Sequence, residues 1–485
     1  MEESAKSETL TNRTTKKSLP LKEVSPMVDH SGDAGNQSSD HYKARLSPFR
    51  YKLRSALIPL IRAENEYLHS MQTNLRHPWL DFYFAWTANL ASHTFYVLML
   101  PTPIWFGAGE LSRDLVYVLG LGIYFTGFLK DFFCLPRPRS PPIHRITMSS
   151  YTTQEYGFPS SHSANATAVT LVLASRLFNL DISRTQFIIL LSWLIIYYVS
   201  LIFGRLYCGM HGFLDLFVGS SVGAGVFLFR FFWGKQWDSL LFDNGFGIIP
   251  SAIFIVAMFL GLIHIHSEPV EDCPCFDDSV AFIGVLIGLD ISHLIAYHTQ
   301  YFMPTEAHTD PFLLPFDVNQ GMMKNIGRFI LGVTLVVIWK AISKPIIFTI
   351  LPPIYKIIGV YLPRRNFIST AHAKSSVRHI RSASISNDHS SIGNFNNFIK
   401  GVTDHTKIDE IGPTTDIDYI EMLDYKKKTN RPASEVQNIE EKLLAKSGVF
   451  KPRYDVEIIG RIIVYAGVST TAVWGLTCAI SYVNV

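Results

Sequence analysis

Three short stretches of this 485-residue chain carry residue types suited to holding and moving a phosphoryl group. In KDFFCLPRP, Lys130 and Arg137 stand about two helical turns apart, two fixed cations able to grip one phosphate. In GFPSSH, Ser160 and Ser161 directly precede an apolar run. Small residues at a helix N-terminus offer backbone N–H groups to an anion, and His162 beside them is placed to give or take a proton. In GRLYCGMHGFLD, Arg205 adds a third cation, and His211 and Asp215 lie four apart. A helix beginning there puts the imidazole and the carboxylate on one face.

The elements that must position these residues are apolar helices. The composition is 48% hydrophobic, 13% aromatic and only 17% charged, too apolar for an ordinary soluble enzyme of this size. Crossing a bilayer takes roughly 20 apolar residues. Stretches approaching that length fall at 80–100, 115–129, 164–178, 187–203, 213–229, 248–264, 280–296, 329–342 and 462–482. A tenth, 346–362, carries Pro352, Pro353 and Lys356 and reads as a broken span or an interfacial helix. The expected fold is therefore all-α, a polytopic transmembrane bundle of about nine spans, eight to ten in range. Topology gives a check. The first cluster follows the second span and the next precedes the third, so one loop holds both. Two further crossings return the chain, and the third cluster, to that face.

Around this core the composition shifts. Residues 1–41 are rich in Ser, Thr, Lys and Asp and read as a disordered tail. Residues 42–76 space Lys43, Arg45, Arg50, Lys52, Arg54 and Arg62 among apolar positions, the pattern of an amphipathic helix on the membrane surface or of a solvated basic linker. A catalytic core then spans 77–235, further membrane helices 236–363, a polar and partly disordered insert 364–456, and a C-terminal membrane helix 457–485. Arg-flanked serines in the insert are candidate phosphorylation sites, or the segment is an inert linker. The N-terminus has no apolar core of a cleaved signal. A net charge of +3 with no dominant basic block implies no nucleic-acid partner. The five cysteines lack the spacing of a structural zinc site, although Cys273-Pro-Cys275 is unusual. Nothing in the sequence sets an oligomeric state.

Together the clusters resemble the three-part motif of the type-2 phosphatidic acid phosphatase superfamily, K-x6-R-P, P-S-G-H and S-R-x5-H-x3-D. Lys130, Arg137 and Pro138 meet the first part; Pro159, Ser160 and His162 the second, with Ser161 for its glycine; Arg205, His211 and Asp215 the third, with Gly204 for its serine. The flanking sequences SHTFYVL, YTTQEYGFPSSHSANAT and CPCFDDSVAF are similar to those of fungal sphingoid long-chain base phosphate phosphatases. That resemblance implies a phosphorylated sphingoid base as substrate, a bilayer as partner, no metal or other cofactor, and an endoplasmic reticulum membrane with the site facing the lumen. It also implies roles. His211 attacks phosphorus, Asp215 holds its ring, and His162 serves as acid and then base. Lys130, Arg137 and Arg205, with Ser160 and Ser161, hold the phosphate.

Rival readings follow from the same residues. A phosphatase for phosphatidate or diacylglycerol pyrophosphate uses an identical phosphate pocket, and a channel or transporter places ionisable groups through the bilayer depth. Singly, the three cations read as membrane-edge residues. The basic 43–76 stretch, on the same side as the site, points to the cytosol by charge asymmetry, against the lumenal placement. Asp81, His93, Asp290 and His293 near apolar spans read as structural, with no partner to name, and Glu155 or Asp131 reads as a solvated loop acid ahead of a contact to the substrate amine.

Overall fold

The structure is a computed structural model that describes residues 34–299, 316–358 and 454–483, apart from breaks at 92, 148–154, 244, 272, 317–318, 320 and 455. The regular elements among the described residues are all helical. Two helices lead in, α1 (Ser39–Arg45) and α2 (Pro48–Leu75). Ser47 caps α2 by accepting from the Arg50 amide, and Pro48 stands at its first position, where a missing N–H costs nothing. Next come α3 (Pro78–Thr87), a 3₁₀ turn (Ala88–Ala91), α4 (His93–Met99) and α5 (Thr102–Trp105). The long helices are α6 (Gly109–Phe133), α7 (Ser161–Leu177), α8 (Arg184–Tyr207), α9 (Phe213–Phe242), α10 (Ile248–Ile265), α11 (Cys275–Thr299) and α12 (Met322–Ile358). The chain ends in α13 (Val456–Thr470), a π turn (Thr471–Gly475) and α14 (Leu476–Val483).

Among the described residues seven helices are long and apolar enough to cross a membrane: α6, α8, α9, α10, α11, α12 and the run Val456–Ala479. Two of the nine expected stretches form helices too short to count among them, and the tenth joins its neighbour. The 80–100 stretch is not one helix but the pieces α3 to α5. The 3₁₀ turn Ala88–Ala91 separates α3 from α4, and Pro101 and Pro103 follow the end of α4. The pieces still run from the level of Tyr207, whose hydroxyl bonds Asp81, to that of Ser112, which donates to the Leu100 carbonyl. The 164–178 stretch forms α7, but its 17 residues fall short of a span, and its Ser163, Asn165 and Thr167 are buried inward. Third, 329–342 and the tenth stretch are one helix: α12 continues through Pro345, Pro352 and Pro353 to Ile358. Most of the 1–41 tail and of the 364–456 insert, with its serines, lies outside the described residues.

The site is carried by α6, α7, α8 and α9. Two glycines let α9 lie against α7 at backbone distance: a Cβ on Gly219 would collide with the Ser160 carbonyl, and one on Gly223 with that of Ala164. Outside this quartet α11 packs between α6 and α13, and the largest apolar cluster joins Tyr117 and Tyr124 of α6 to Phe259 of α10, Ile283 and Leu286 of α11 and Ile458 of α13.

Candidate active site

One end of the bundle gathers all three clusters. Lys130 lies on the last turn of α6, which closes at Cys134 in the left-handed conformation (φ 52°). The chain then passes Arg137 and returns through Gly157, whose N–H donates to the Leu135 carbonyl at 2.9 Å. A Cβ at Gly157 would lie 2.6 Å from the Pro136 oxygen and 2.8 Å from the Arg137 nitrogen, so only glycine lets the two strands of this loop touch. Ser160 caps α7 by accepting from Ser163 N–H, and its own N–H donates to the Asp215 carbonyl at 3.0 Å, which ties the second cluster to the third.

His211 sits between α8 and α9, 2% exposed. Its Nδ1 is 2.8 Å from the Gly157 carbonyl oxygen and 3.6 Å from Asp215 Oδ2. Its Nε2 faces Arg137 Nη1 at 3.3 Å. A carbonyl can only accept, so Nδ1 carries the proton and Nε2 presents its lone pair toward the guanidinium. Burial first, and then the charges of Arg137, Lys130, His162 and Arg205, hold this imidazole well below its ordinary value. The ring is thus neutral at neutral pH, the state a nitrogen nucleophile requires. Burial pulls Arg137 down to about 10 against the raising effect of Glu155, and the group stays charged.

Arg137 is held on three sides: Nε donates to the Glu155 carbonyl at 3.0 Å, Nη1 to the Met210 carbonyl at 2.9 Å, and Nη2 lies 3.6 Å from Glu155 Oε2. Lys130 pairs with the same Glu155 carboxylate and reaches Ser161 Oγ at 3.4 Å. Arg205 is 5% exposed on the last turn of α8, and among the described residues its Nε has no hydrogen-bond partner, as suits a donor meant for an anion. His162 stands on the first turn of α7, one of the charges acting on His211.

The structure therefore brings the catalytic and phosphate-binding candidates to one end of the bundle, with three differences. The Gly157 carbonyl is nearer to Nδ1 of His211 than Asp215 is, and Asp215 Oδ2 accepts from Gly212 N–H at 2.8 Å, capping its own helix. Ser160 spends its Oγ lone pair and its N–H on the scaffold, leaving Ser161 as the serine turned toward Lys130. Glu155 and Asp131 are not solvated acids: Asp131 is fully buried, and the Glu155 side chain is 12% exposed and paired to two cations.

Helix α2 falls in the 42–76 stretch read as an amphipathic helix or basic linker, but its use against the catalytic loops was not announced by the sequence. Arg50 donates to the carbonyls of Asp131 and Phe132, Arg54 to those of Cys134 and Gly35, and Arg62 to that of Arg137 at 3.3 Å. Gln72 donates to the carbonyls of His144 and Tyr207, and Glu64 accepts from Leu214 N–H at 2.9 Å. The helix thus straps the loops of all three clusters. Basic spacing was the visible signal, but that its partners are loop carbonyls is written nowhere in the local sequence.

The far end holds a separate network. Arg113 meets Asp290 at 2.9 Å, Asp238 at 2.8 Å and His293 Nδ1 at 2.9 Å, and Arg230 joins Asp238 to Asp114. Asp290 and His293 so gain the partners that the sequence could not name. The Asp81 partner is Tyr207, and the His93 side chain lies outside the described residues. Cys273 and Cys275 approach Asp131, but the two sulfurs are joined in a disulfide and offer no thiolate to a metal.

Residues 112–238, which include all eight site residues, match the PAP2 superfamily. The chain is similar to the dihydrosphingosine 1-phosphate phosphatase YSR3 of Saccharomyces cerevisiae, 42% identical over 322 residues, which is 66% of this chain and 76% of that protein. It is 37% identical over 311 residues to the dihydrosphingosine 1-phosphate phosphatase C823.11 of Schizosaccharomyces pombe, covering 63% and 72% of the two chains. It is 25% identical over 284 residues to the human sphingosine-1-phosphate phosphatase 2, covering 57% and 68%. No solved structure matches the chain.

Proposed function

The chain belongs to the PAP2 superfamily, alongside dihydrosphingosine 1-phosphate phosphatases, and from this membership and the site's geometry we propose that it hydrolyses phosphorylated sphingoid bases to the free base and inorganic phosphate. The observation that carries the reading is the ring of His211, neutral, held through Nδ1 by a carbonyl and turned with Nε2 to a buried arginine. Such a ring is a nucleophile aimed at whatever anion the arginine binds.

In the first half-reaction Nε2 of His211 attacks phosphorus and forms a P–N bond. The P–O bond to the lipid breaks, and His162 gives its proton to the departing alkoxide. The growing imidazolium is stabilised by the Gly157 carbonyl and by Asp215 behind it. In the second, His162 takes a proton from water, the water oxygen attacks phosphorus, and the P–N electron pair returns to Nε2. Lys130, Arg137, Arg205 and the start of α7 at Ser161 neutralise the equatorial oxygens, the work that magnesium does in many phosphotransferases. Ser160 acts by fixing that helix start.

Phosphatidate would meet the same phosphate groups, so the substrate is the part to test. Purified protein in mixed micelles should release phosphate faster from dihydrosphingosine or phytosphingosine 1-phosphate than from phosphatidate or diacylglycerol pyrophosphate, and the reverse order would refute the choice. The transporter reading loses ground, since the far-end charges pair among themselves rather than forming a path.

We place the enzyme in the endoplasmic reticulum membrane with the site facing the lumen. The Cys273–Cys275 disulfide beside Asp131 supports that side, because disulfides persist in oxidising compartments. The docking of Arg50, Arg54 and Arg62 onto loop carbonyls weakens the contrary charge argument, since these cations have a local use.

A further inference from the structure

Glu155 occupies the position between the two cations that the first cluster offers to phosphate. Its carboxylate pairs with Lys130 Nζ and stands 3.6 Å from Arg137 Nη2, while its backbone carbonyl accepts from Arg137 Nε at 3.0 Å. The backbone is pinned at Glu155 and just after it, since its carbonyl accepts from Arg137, Tyr156 is fully buried and Gly157 N–H is bonded to Leu135. Only the side chain is left to swing. A phosphate monoester carries about −1.5 to −2 charges near neutral pH, and it needs the same lysine and arginine. Arg205 supplies charge for the phosphate, but Lys130 and Arg137 have a limited number of donors, so a phosphate that takes them strips the carboxylate of its partners and favours a cation of its own. A phosphosphingoid base brings one. Its ammonium sits on the carbon next to the one bearing the phosphate ester, within reach of a carboxylate displaced by a single phosphate oxygen. Phosphatidate carries acyl esters there and no cation.

We propose that Glu155 is the specificity-determining residue of this site. It neutralises Lys130 and Arg137 between turnovers and becomes the counter-ion of the substrate ammonium when phosphate takes those cations. An anionic lipid without an amine has to displace a carboxylate that gains nothing in return. The inference rests on the sphingoid-base reading above, and the test separates the two.

The full-length enzyme and its Glu155→Gln variant are assayed in mixed micelles on dihydrosphingosine 1-phosphate, its N-acetyl derivative and phosphatidate. The first two differ in the charge on nitrogen. The wild type should favour the free amine in kcat/KM by about tenfold or more, the size of a charge-assisted contact. In the variant that ratio should fall toward one, through loss on the amine and equal or faster turnover of the N-acetyl lipid. If Glu155→Gln does not fold, Glu155→Asp keeps the charge on a shorter arm and should keep the amine preference at a lower rate; loss of the preference there contradicts the role. An unchanged ratio in Glu155→Gln, or an equal fall on both lipids, overturns the inference and leaves the substrate reading standing. Wild-type enzyme that cleaves phosphatidate and spares the amine substrate overturns the substrate reading instead.

Discussion

Arg137 does two jobs that a lysine cannot combine. Its planar fork reaches Glu155, Met210 and His211 at once, whereas an ammonium is a single point of charge. Arg137→Lys should therefore lower kcat/KM by roughly a hundredfold while the protein still folds, as judged by thermal melting; a loss below threefold would mean that charge alone is needed. His211 gives a pH signature. Burial holds its folded pKa well below 6.5, while the unfolded chain takes up a proton near that value, so the unfolded state binds more protons as pH falls and stability drops. Between about pH 7.5 and 5.5 the wild type should lose more melting temperature than His211→Gln, and equal losses would contradict a buried neutral ring. At this scale the motif residues were legible because their chemistry needs fixed types at fixed spacing. Gly157 was not, since its role lies in a carbonyl that every residue has. Glu155 was visible as one of two loop acids that could meet a substrate amine, but not as the partner of Lys130 and Arg137.

At the scale of elements, the strap helix α2 decides whether the loops hold their shape. Arg54 is 3% exposed and donates to two carbonyls across the start of the catalytic loop, with its guanidinium 3.6 Å from the Tyr42 ring. Arg54→Ala leaves those buried carbonyls without a partner and should cost about 2–3 kcal/mol. The expected readout is a lower melting temperature together with reduced kcat; unchanged values for both would mean that α2 merely rests on the loop. The long apolar helices α6 and α8 to α11 were readable from hydropathy. The interruption at the 3₁₀ turn Ala88–Ala91 was not, because the apolar neighbours of Asn89 outweigh it in any count. The length of α12 was misread for the opposite reason. Three prolines argue for a stop, yet a helix is able to absorb them where its surroundings satisfy the freed carbonyls.

For the whole molecule, the sequence argument that two crossings return the third cluster to the face of the first two holds, with α7 as a short polar pass and 78–105 as a broken one. Orientation is a separate matter, set by the machinery of insertion and read from charge that α2 turns out to use locally. Of glycosylation acceptors inserted after Cys134, at the catalytic end, and before Ile248, at the opposite end of α9, only the first should be modified if the catalytic end is lumenal; modification of only the second would reverse the assignment. The proposed function comes down to one chemical statement, that phosphate passes through a covalent bond to His211. Rapid acid-free quenching of the enzyme with radiolabelled dihydrosphingosine 1-phosphate, followed by peptide mapping, tests it directly. The account predicts a base-stable, acid-labile phosphoryl group on His211 of the wild-type enzyme, formed more slowly in His162→Ala, which lacks the acid of the first step and the base of the second. Turnover without label on His211, or label on another residue, would contradict it.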